Sequence, residues 1–223
     1  YIPEMAVPRT TMGRKMSPGW DLTKYLKFGH VPAVLSSYDY IYHLDASVFK
    51  RVDPSRIMSR CEYTVHMKDG LKAFLARRSG VGLVLTRHLT RNFAAEEWAT
   101  TISLGKDNQS HIGRFKCAMT RFFGKHGVDE APNFGMGQWI RSPHDARTNK
   151  AFVETWRALK MFGIKRDQNV FGFALWYALG ADCATRVAVC SSNYKRCGAV
   201  TAPPTIRLHS QHLFAPCATS MTQ

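Results

Sequence analysis

The sequence predicts an α/β fold of three layers, in which helices cover a mostly parallel central sheet. Short runs of β-branched, aromatic and other apolar residues, which are typical of strands, alternate along the chain with longer segments of helical periodicity. Apolar residues make up 45% of the 223 residues, which is enough to build a sizeable core. Strands that alternate with helices are typical of this fold class.

Four elements are predicted in the first part of the chain. Asp21 has the chemistry of an N-cap and begins a predicted helix that reaches about residue 36, with a bend at the proline at position 32. The next predicted elements are a strand at 38–44, a short helix at 53–61 that begins with Asp-Pro, and a buried strand at 81–86.

The second part of the chain contains more helix. Asp145 caps a helix with a clear apolar face, and Gly163 ends it. The other predicted elements are helices at 93–104, 111–126 and 168–179 and a strand at 133–140. The periodicity fails after residue 180, so we expect one domain over residues 1–180 and an irregular or disordered tail over 181–223.

The charge balance indicates an anionic partner. Lys and Arg total 31 and Asp and Glu total 16, so the formal net charge is +15. Such a surface suits a nucleic acid, an acidic membrane surface or a phosphate-bearing substrate. The longest apolar run, at 170–181, is shorter than the roughly 20 residues that cross a bilayer, so we expect no membrane span in this chain.

The six cysteines form no Cys-x-x-Cys pair, which argues against a structural zinc site. A domain of this size does not need a disulfide framework, and we expect mostly free thiols. The sequence also lacks a Walker A loop, a Gly-x-Ser-x-Gly elbow, a His-Glu-x-x-His helix and a Gly-x-Gly-x-x-Gly loop. Their absence argues against the commonest nucleotide hydrolases, esterases, metalloproteases and dinucleotide enzymes.

Three polar clusters follow predicted strands or begin predicted helices, where ligands bind in α/β sheets. Asp45 ends the first strand, in the run His-Leu-Asp-Ala-Ser, and its carboxylate can hold a cation that neutralises a diphosphate. A cap for the following turn is the alternative role of Asp45. Arg87 and His88 end the strand at 81–86 and can contact a phosphate or a sugar hydroxyl, or belong to a plain surface loop.

The third cluster is Arg166, Asp167 and Gln168, at the start of the helix at 168–179. A helix N-terminus keeps a carboxylate ionised, so Asp167 suits either a base, a charge stabiliser or a simple N-cap. His144 and Asn149 form a further polar patch at the start of the preceding helix.

In series, these clusters resemble a family of glycosyltransferase-like proteins that includes plant Golgi hexosyltransferase-like proteins, bacterial capsular-polysaccharide proteins and a chlorella-virus glycosyltransferase domain. The resemblance covers residues 20–178. It is carried by four segments: YDYIYHLDASVFKRVDPSRIM, TRHLTRNFAAEEW, QWIRSPHDARTN and the following helix, and KRDQNVF.

The resemblance implies a GT-A-like fold that transfers a sugar from a nucleotide-diphosphate sugar. It places Mn²⁺ or Mg²⁺ at Asp45 and Ser47; at the position of Ser47 the family usually has a second acid. It also implies that Asp167 is the catalytic base or a charge stabiliser. The implied contacts to donor or acceptor are Arg9, Arg14, Lys24, Arg87, His88, His144, Asn149, Arg166 and Gln168.

The implied partners are a nucleotide-sugar donor, most often a UDP-sugar, and a glycan or glycoprotein acceptor, with no nucleic acid. Because GT-A folds begin with a βαβ unit that is not recognisable here, we expect the domain to be truncated at its N-terminus. The family would place the protein in the cytoplasm if it is viral or bacterial and in the Golgi lumen if it is plant-like. Two alternatives stay open: a basic nucleic-acid-binding protein, and an inactive relative that binds sugar nucleotides.

Overall fold

A computed structural model describes residues 18–29, 33–45, 80–190 and 197–203, which form a five-stranded mixed sheet with helices. The strands are β1 (Ile41–Leu44), β2 (Leu83–Arg87), β3 (Phe134–Arg141), β4 (Val187–Cys190) and β5 (Cys197–Ala199). Their spatial order is β1-β3-β2-β4-β5. The α/β class and the strands expected near 38–44, 81–86 and 133–140 are thereby confirmed.

The expected strand direction is wrong, because the sheet is mostly antiparallel. Only β2 and β4 pair in parallel, whereas β3 runs antiparallel to both of its neighbours, β1 and β2, and β5 runs antiparallel to β4. A continuous apolar run is typical of parallel strands, but it arises because both faces of the strand are buried, and the buried strand β2 has such a run although it pairs antiparallel with β3. β3 follows β2 in the chain and yet inserts between β1 and β2, which the order of elements did not reveal.

Most predicted helices are confirmed. The described helices are α1 (Pro18–Phe28), α2 (Ala94–Ser103), α3 (Gln109–Glu130), α4 (Ala146–Phe162), α5 (Gln168–Leu179) and α6 (Cys183–Arg186), with 3₁₀ turns at Ala33–Leu35 and Gly180–Asp182. Asp145 caps α4 by accepting hydrogen bonds from the N–H groups of Arg147 and Thr148. Gly163 ends α4 in the left-handed conformation, with φ 70°.

The first helix differs from the prediction at both ends. α1 already includes Pro18, so Asp21 lies inside the helix and is not its N-cap. The helix ends at Phe28 rather than near residue 36, because the chain turns at Gly29, where a Cβ would lie 2.5 Å from the Tyr25 carbonyl oxygen. The helix predicted at 53–61 lies outside the described residues.

The core lies between the sheet and α1–α5. Its centre is α5, which is apolar on all sides and stacks Phe173 on Trp98 and packs Phe171 against Phe152. Gly172 lets this helix approach the loop before β3, because a Cβ there would collide with the Pro132 carbonyl oxygen.

The opposite face of the sheet carries a second buried cluster, to which Val84, Ile140 and Ala188 belong. No residue of α1–α6 belongs to that cluster. The part of the chain that the structure describes therefore has helices packed against one face of the sheet, and the expected third layer stays a prediction.

Regular structure continues beyond residue 180. β4 pairs with the central strand β2, and β5 extends the sheet, so the expected irregular tail does not hold for residues 181–190 and 197–199. The strand Val-Ala-Val-Cys has four residues and follows the four-residue helix α6, and elements this short leave no clear periodicity in the sequence. Residues 204–223 lie outside the described part.

The expectation of mostly free thiols is also corrected. Cys117 and Cys190 are disulfide-bonded. Cys183 is a buried free thiol, and burial raises its pKa to about 12, so it is unreactive at neutral pH.

Candidate functional site

The strand directions bring the predicted clusters to one edge of the sheet. β1 and β2 both run antiparallel to β3, so their carboxyl ends point to the same side of the sheet; β1 ends opposite Gln138 and β2 ends opposite Phe134. Asp45 follows β1, and its N–H donates to the Gly137 carbonyl of β3. His88 is the first residue after β2. This edge is where α/β sheets commonly hold ligands.

Asp45 is held by two neighbours. The Lys27 ammonium lies 3.2 Å from its Oδ1 and 3.1 Å from its Oδ2. His43 Nε2 lies 2.8 Å from Oδ1. Burial raises the pKa of Asp45, but the hydrogen bond from His43 and the charge of Lys27 outweigh burial and lower that pKa below its usual value. Asp45 is therefore an ionised carboxylate whose side chain is still 36% exposed.

Asp167 shares the same lysine. Lys27 Nζ lies 2.8 Å from Asp167 Oδ2, and Lys24 Nζ lies 3.2 Å from the same oxygen. Burial raises the pKa of Asp167, but the charges of Lys27 and Lys24 hold it well below its usual value. Asp167 Oδ1 accepts a hydrogen bond from the Gln168 N–H at the start of α5. The carboxylate is thus ionised, buried and fixed in place.

Lys27 is the centre of this arrangement. Its side chain is 4% exposed and joins the carboxylates at the end of β1 and at the start of α5. A buried ammonium requires such partners, because desolvation of an unpaired charge is costly. Asp45 and Asp167, which the sequence suggested as separate candidates, therefore belong to one site. We refer to this site as the acid–lysine cluster; it consists of Lys24, Lys27, His43, Asp45 and Asp167.

The segment before α5 is anchored by a buried acid. Asp107 Oδ2 accepts hydrogen bonds from the backbone N–H groups of Lys165 and Arg166, at 3.1 and 3.2 Å, and from the Asn169 side-chain amide at 3.0 Å. These bonds fix the turn on which Asp167 stands. Asp107 was not singled out in the sequence, because an acid in a loop between two helices is usually a surface residue.

A second ionic cluster lies beside the first and surrounds Glu97. The Glu97 side chain is fully buried, with Arg91 Nε at 2.5 Å, His88 Nε2 at 3.8 Å and Arg166 Nη2 at 3.9 Å. Arg166 also donates to the Gln168 side-chain oxygen at 3.2 Å. The segment that carries Asp167 therefore contacts both clusters. Glu97 keeps the guanidinium groups of Arg91 and Arg166 at this edge of the sheet.

The roles of Glu96 and Glu97 separate. Glu96 is exposed and accepts hydrogen bonds from the N–H groups of Asn92 and Phe93, which caps α2. Burial and the nearby guanidinium of Arg91 lower the pKa of His88, which favours its neutral form. Arg87 ends β2 with an exposed side chain, on the same edge.

Two predicted residues do not join the site. His144 is exposed and lies beyond the far end of β3. Asn149 donates to the Ser142 and Pro143 carbonyls and thereby closes the loop before α4. β3 runs from the acid–lysine cluster toward these residues, so both lie at the opposite edge of the sheet. Arg9, Arg14 and Ser47 lie outside the described residues.

The described residues offer few ligands to a metal. They include no group of three His, Cys, Asp or Glu side chains placed to hold a metal ion together. Asp45 has one partly exposed carboxylate, and a metal at that carboxylate has to displace Lys27, which contacts both of its oxygens. Mg²⁺ is often held by one or two carboxylates, several waters and substrate phosphates, and Asp45 suits that mode.

Comparisons with protein-family models, with curated proteins and with solved structures gave no match to this chain. Within the described residues, no helix has both the length and the apolar character needed to cross a membrane.

Proposed function

We propose that the protein is a GT-A-like glycosyltransferase that moves a sugar from a nucleotide-diphosphate sugar, such as a UDP-sugar, to a hydroxyl of a glycan or glycoprotein. The observation that carries this proposal is the meeting of Asp45 and Asp167 at one lysine. Sugar transfer needs cations that neutralise the departing diphosphate and a carboxylate close to the anomeric carbon. The acid–lysine cluster holds both kinds of group at the carboxyl edge of the sheet.

In this proposal Asp45 holds Mn²⁺ or Mg²⁺, which when bound supplies positive charge to the diphosphate. Lys24 and Lys27 add charge on the side of Asp167, and Arg166 adds charge on the side of Glu97. Gln168 holds Arg166 in place. Arg87 and His88, which follow the neighbouring strand, are candidates for contacts to the sugar.

Asp167 acts on the sugar in this scheme. Its low pKa keeps it ionised, and a carboxylate in contact with two ammonium groups is a weak base. In the arrangement described here it suits the stabilisation of positive charge at the anomeric carbon. Proton removal from an acceptor hydroxyl requires the lysines to transfer their contacts to the diphosphate first.

The disulfides are consistent with the secretory side of this proposal. Structural disulfides persist in oxidising compartments and are rare in the cytosol, and Cys117 and Cys190 are both disulfide-bonded. Among the alternatives that the resemblance implied, they favour a lumenal glycosyltransferase over a cytosolic one.

The nucleic-acid alternative receives less support. Lys24, Lys27, Arg91 and Arg166 pair with buried acids at the candidate site, so part of the basic excess serves internal contacts. An RNA- or DNA-binding surface needs many exposed cations along one face, whereas a single diphosphate needs only the few at this site.

Calorimetry with UDP and GDP, with and without Mn²⁺, tests the donor site. We expect Mn²⁺-dependent binding that Asp45→Ala removes and that Asp129→Ala, a change of an exposed acid on α3, leaves unchanged. Absence of nucleotide binding by the folded protein contradicts the proposal. Release of sugar from a bound UDP-sugar distinguishes an enzyme from an inactive relative, and Asp167→Asn should abolish that release.

A further inference from the structure

We propose that Lys27 is an internal counter-cation that competes with the divalent metal for Asp45, so that metal binds tightly only together with a diphosphate. The inference rests on the proposed function, because it concerns the order in which that site fills. It assigns to Lys27 a positioning role that neither the sequence pattern nor the resemblance indicated.

The carboxylate of Asp45 is already occupied. Both carboxylate oxygens lie within 3.2 Å of Lys27 Nζ, and His43 Nε2 contacts Oδ1 as well. A divalent cation at the same carboxylate would be repelled by an ammonium that already neutralises it. Metal binding to Asp45 therefore requires Lys27 to give up this contact.

Lys27 has a second carboxylate within reach. Its Nζ is 2.8 Å from Asp167 Oδ2, so it can keep a carboxylate while releasing Asp45. Asp167 is already neutralised by Lys24 at 3.2 Å. Metal alone would thus leave two ammonium groups on one buried carboxylate, with an excess of positive charge.

A diphosphate removes that excess. Its charge supplies the anion that Lys27 and Lys24 lack once metal occupies Asp45. Metal and diphosphate are therefore coupled through Lys27, and by thermodynamic reciprocity each raises the affinity of the other by the same factor.

Calorimetric titration with Mn²⁺ alone, and again in saturating UDP, tests the inference on the full chain. For the wild type we expect weak binding of Mn²⁺ alone and binding on the order of tenfold tighter or more with UDP. Lys27→Met should tighten the binding of Mn²⁺ alone on the order of tenfold, because Asp45 loses its ammonium, and should reduce the gain from UDP.

Lys24→Met is the matched control. It removes an ammonium that pairs with Asp167, and we expect a smaller effect on Mn²⁺ alone than that of Lys27→Met. If Lys27→Met does not fold, the double variant Lys27→Met with Asp167→Asn removes one charge of each sign and leaves Asp45 in place. Adding Asp45→Ala to either variant should remove the gained affinity.

Binding of Mn²⁺ alone that is no tighter in either Lys27 variant than in the wild type overturns the inference. Failure of the proposed function looks different: UDP then does not bind the wild type even with Mn²⁺. The comparison with Mn²⁺ alone needs no nucleotide, so it decides the role of Lys27 in either case.

Discussion

His43 lies flat on Trp139, with ring centroids 4.6 Å apart and planes within 9° of parallel. The two residues face each other in the register of β1 and β3. Trp139 is buried and is packed edge-on by Phe152 of α4. The imidazole is therefore held by the core, with its Nε2 against Asp45. The orientation of the candidate metal ligand depends in this way on the packing of the sheet.

Replacing His43 should weaken the donor site without unfolding the protein. His43→Ala removes the hydrogen bond at 2.8 Å and leaves Asp45, which is partly solvated, with Lys27 alone. We expect a loss of about 1 kcal/mol, roughly fivefold in the affinity for UDP with Mn²⁺. Calorimetry measures it, and His43→Gln, which retains a hydrogen-bonding group, is the control. An unchanged affinity in His43→Ala would show that His43 does not orient Asp45.

Replacing Glu97 should cost stability. Glu97→Gln leaves Arg91 and Arg166 beside a neutral amide in a fully buried position. Breaking a buried charge pair in this way should lower the free energy of unfolding by about 3 kcal/mol. Urea denaturation followed by circular dichroism measures the change.

Glu96→Gln is the matched control for that experiment. The Glu96 side chain is exposed. A glutamine oxygen at this position can still accept the capping hydrogen bonds from the N–H groups of Asn92 and Phe93. We expect a change within about 0.5 kcal/mol. Equal effects of the two substitutions would contradict the role assigned to Glu97.

Much of the architecture could be predicted because its signals are local. The capping side chain of Asp145, the left-handed Gly163 and the apolar α5 all lie where the residue pattern placed them. Strand direction and the position of β4 depend instead on pairing between distant segments. No local pattern records that Val187–Cys190 lies parallel to β2.

The candidate site shows the same division. Asp45 and Asp167 were found as candidates because polar residues at strand ends and helix starts often bind ligands. Lys24 was a candidate only through the resemblance. Lys27 was missed, since a lysine on a short helix usually points to solvent. Its burial follows from the packing of Phe28, its chain neighbour, against Phe152 and Phe171, a contact that only the tertiary fold defines.

The stability of the protein should fall in acid, partly through Asp167. Its pKa is lower in the folded state than in the unfolded chain, so its contribution is present above the ordinary pKa of aspartate, about 4. The contribution is lost as the pH falls from there toward the folded-state pKa. Urea denaturation at a series of pH values should give a free energy of unfolding that decreases below about pH 5.

Asp167→Asn should flatten that acid dependence. It should also lower the free energy of unfolding at neutral pH by about 3 kcal/mol, because Lys24 and the buried Lys27 lose a charged partner. Asp129→Asn, on the exposed end of α3, is the control and should leave the curve as in the wild type. An acid slope that is the same in Asp167→Asn and wild type would contradict the assignment.

Asp107 should control the site from a distance. Its carboxylate does not contact Asp45 or Asp167 among the described interactions, yet it accepts the N–H groups of Lys165 and Arg166 and the amide of Asn169. Asp107→Asn replaces a charged acceptor by a neutral one and places an N–H₂ group where one acceptor oxygen stood, so the hydrogen bonds to this turn become weaker. We expect a loss of about 2 kcal/mol in stability, measured by urea denaturation.

The same substitution should weaken UDP binding with Mn²⁺ at a temperature where the variant is fully folded, because the turn that carries Asp167 is no longer fixed. Asn108→Asp is the matched control: it changes the adjacent residue and keeps the side-chain oxygen that caps α3 through the N–H groups of Ser110 and His111. If Asp107→Asn lowers stability and leaves UDP binding intact, Asp107 supports the fold alone. If it lowers both while Asn108→Asp lowers neither, the position of Asp167 depends on a hydrogen-bonded acid outside the acid–lysine cluster.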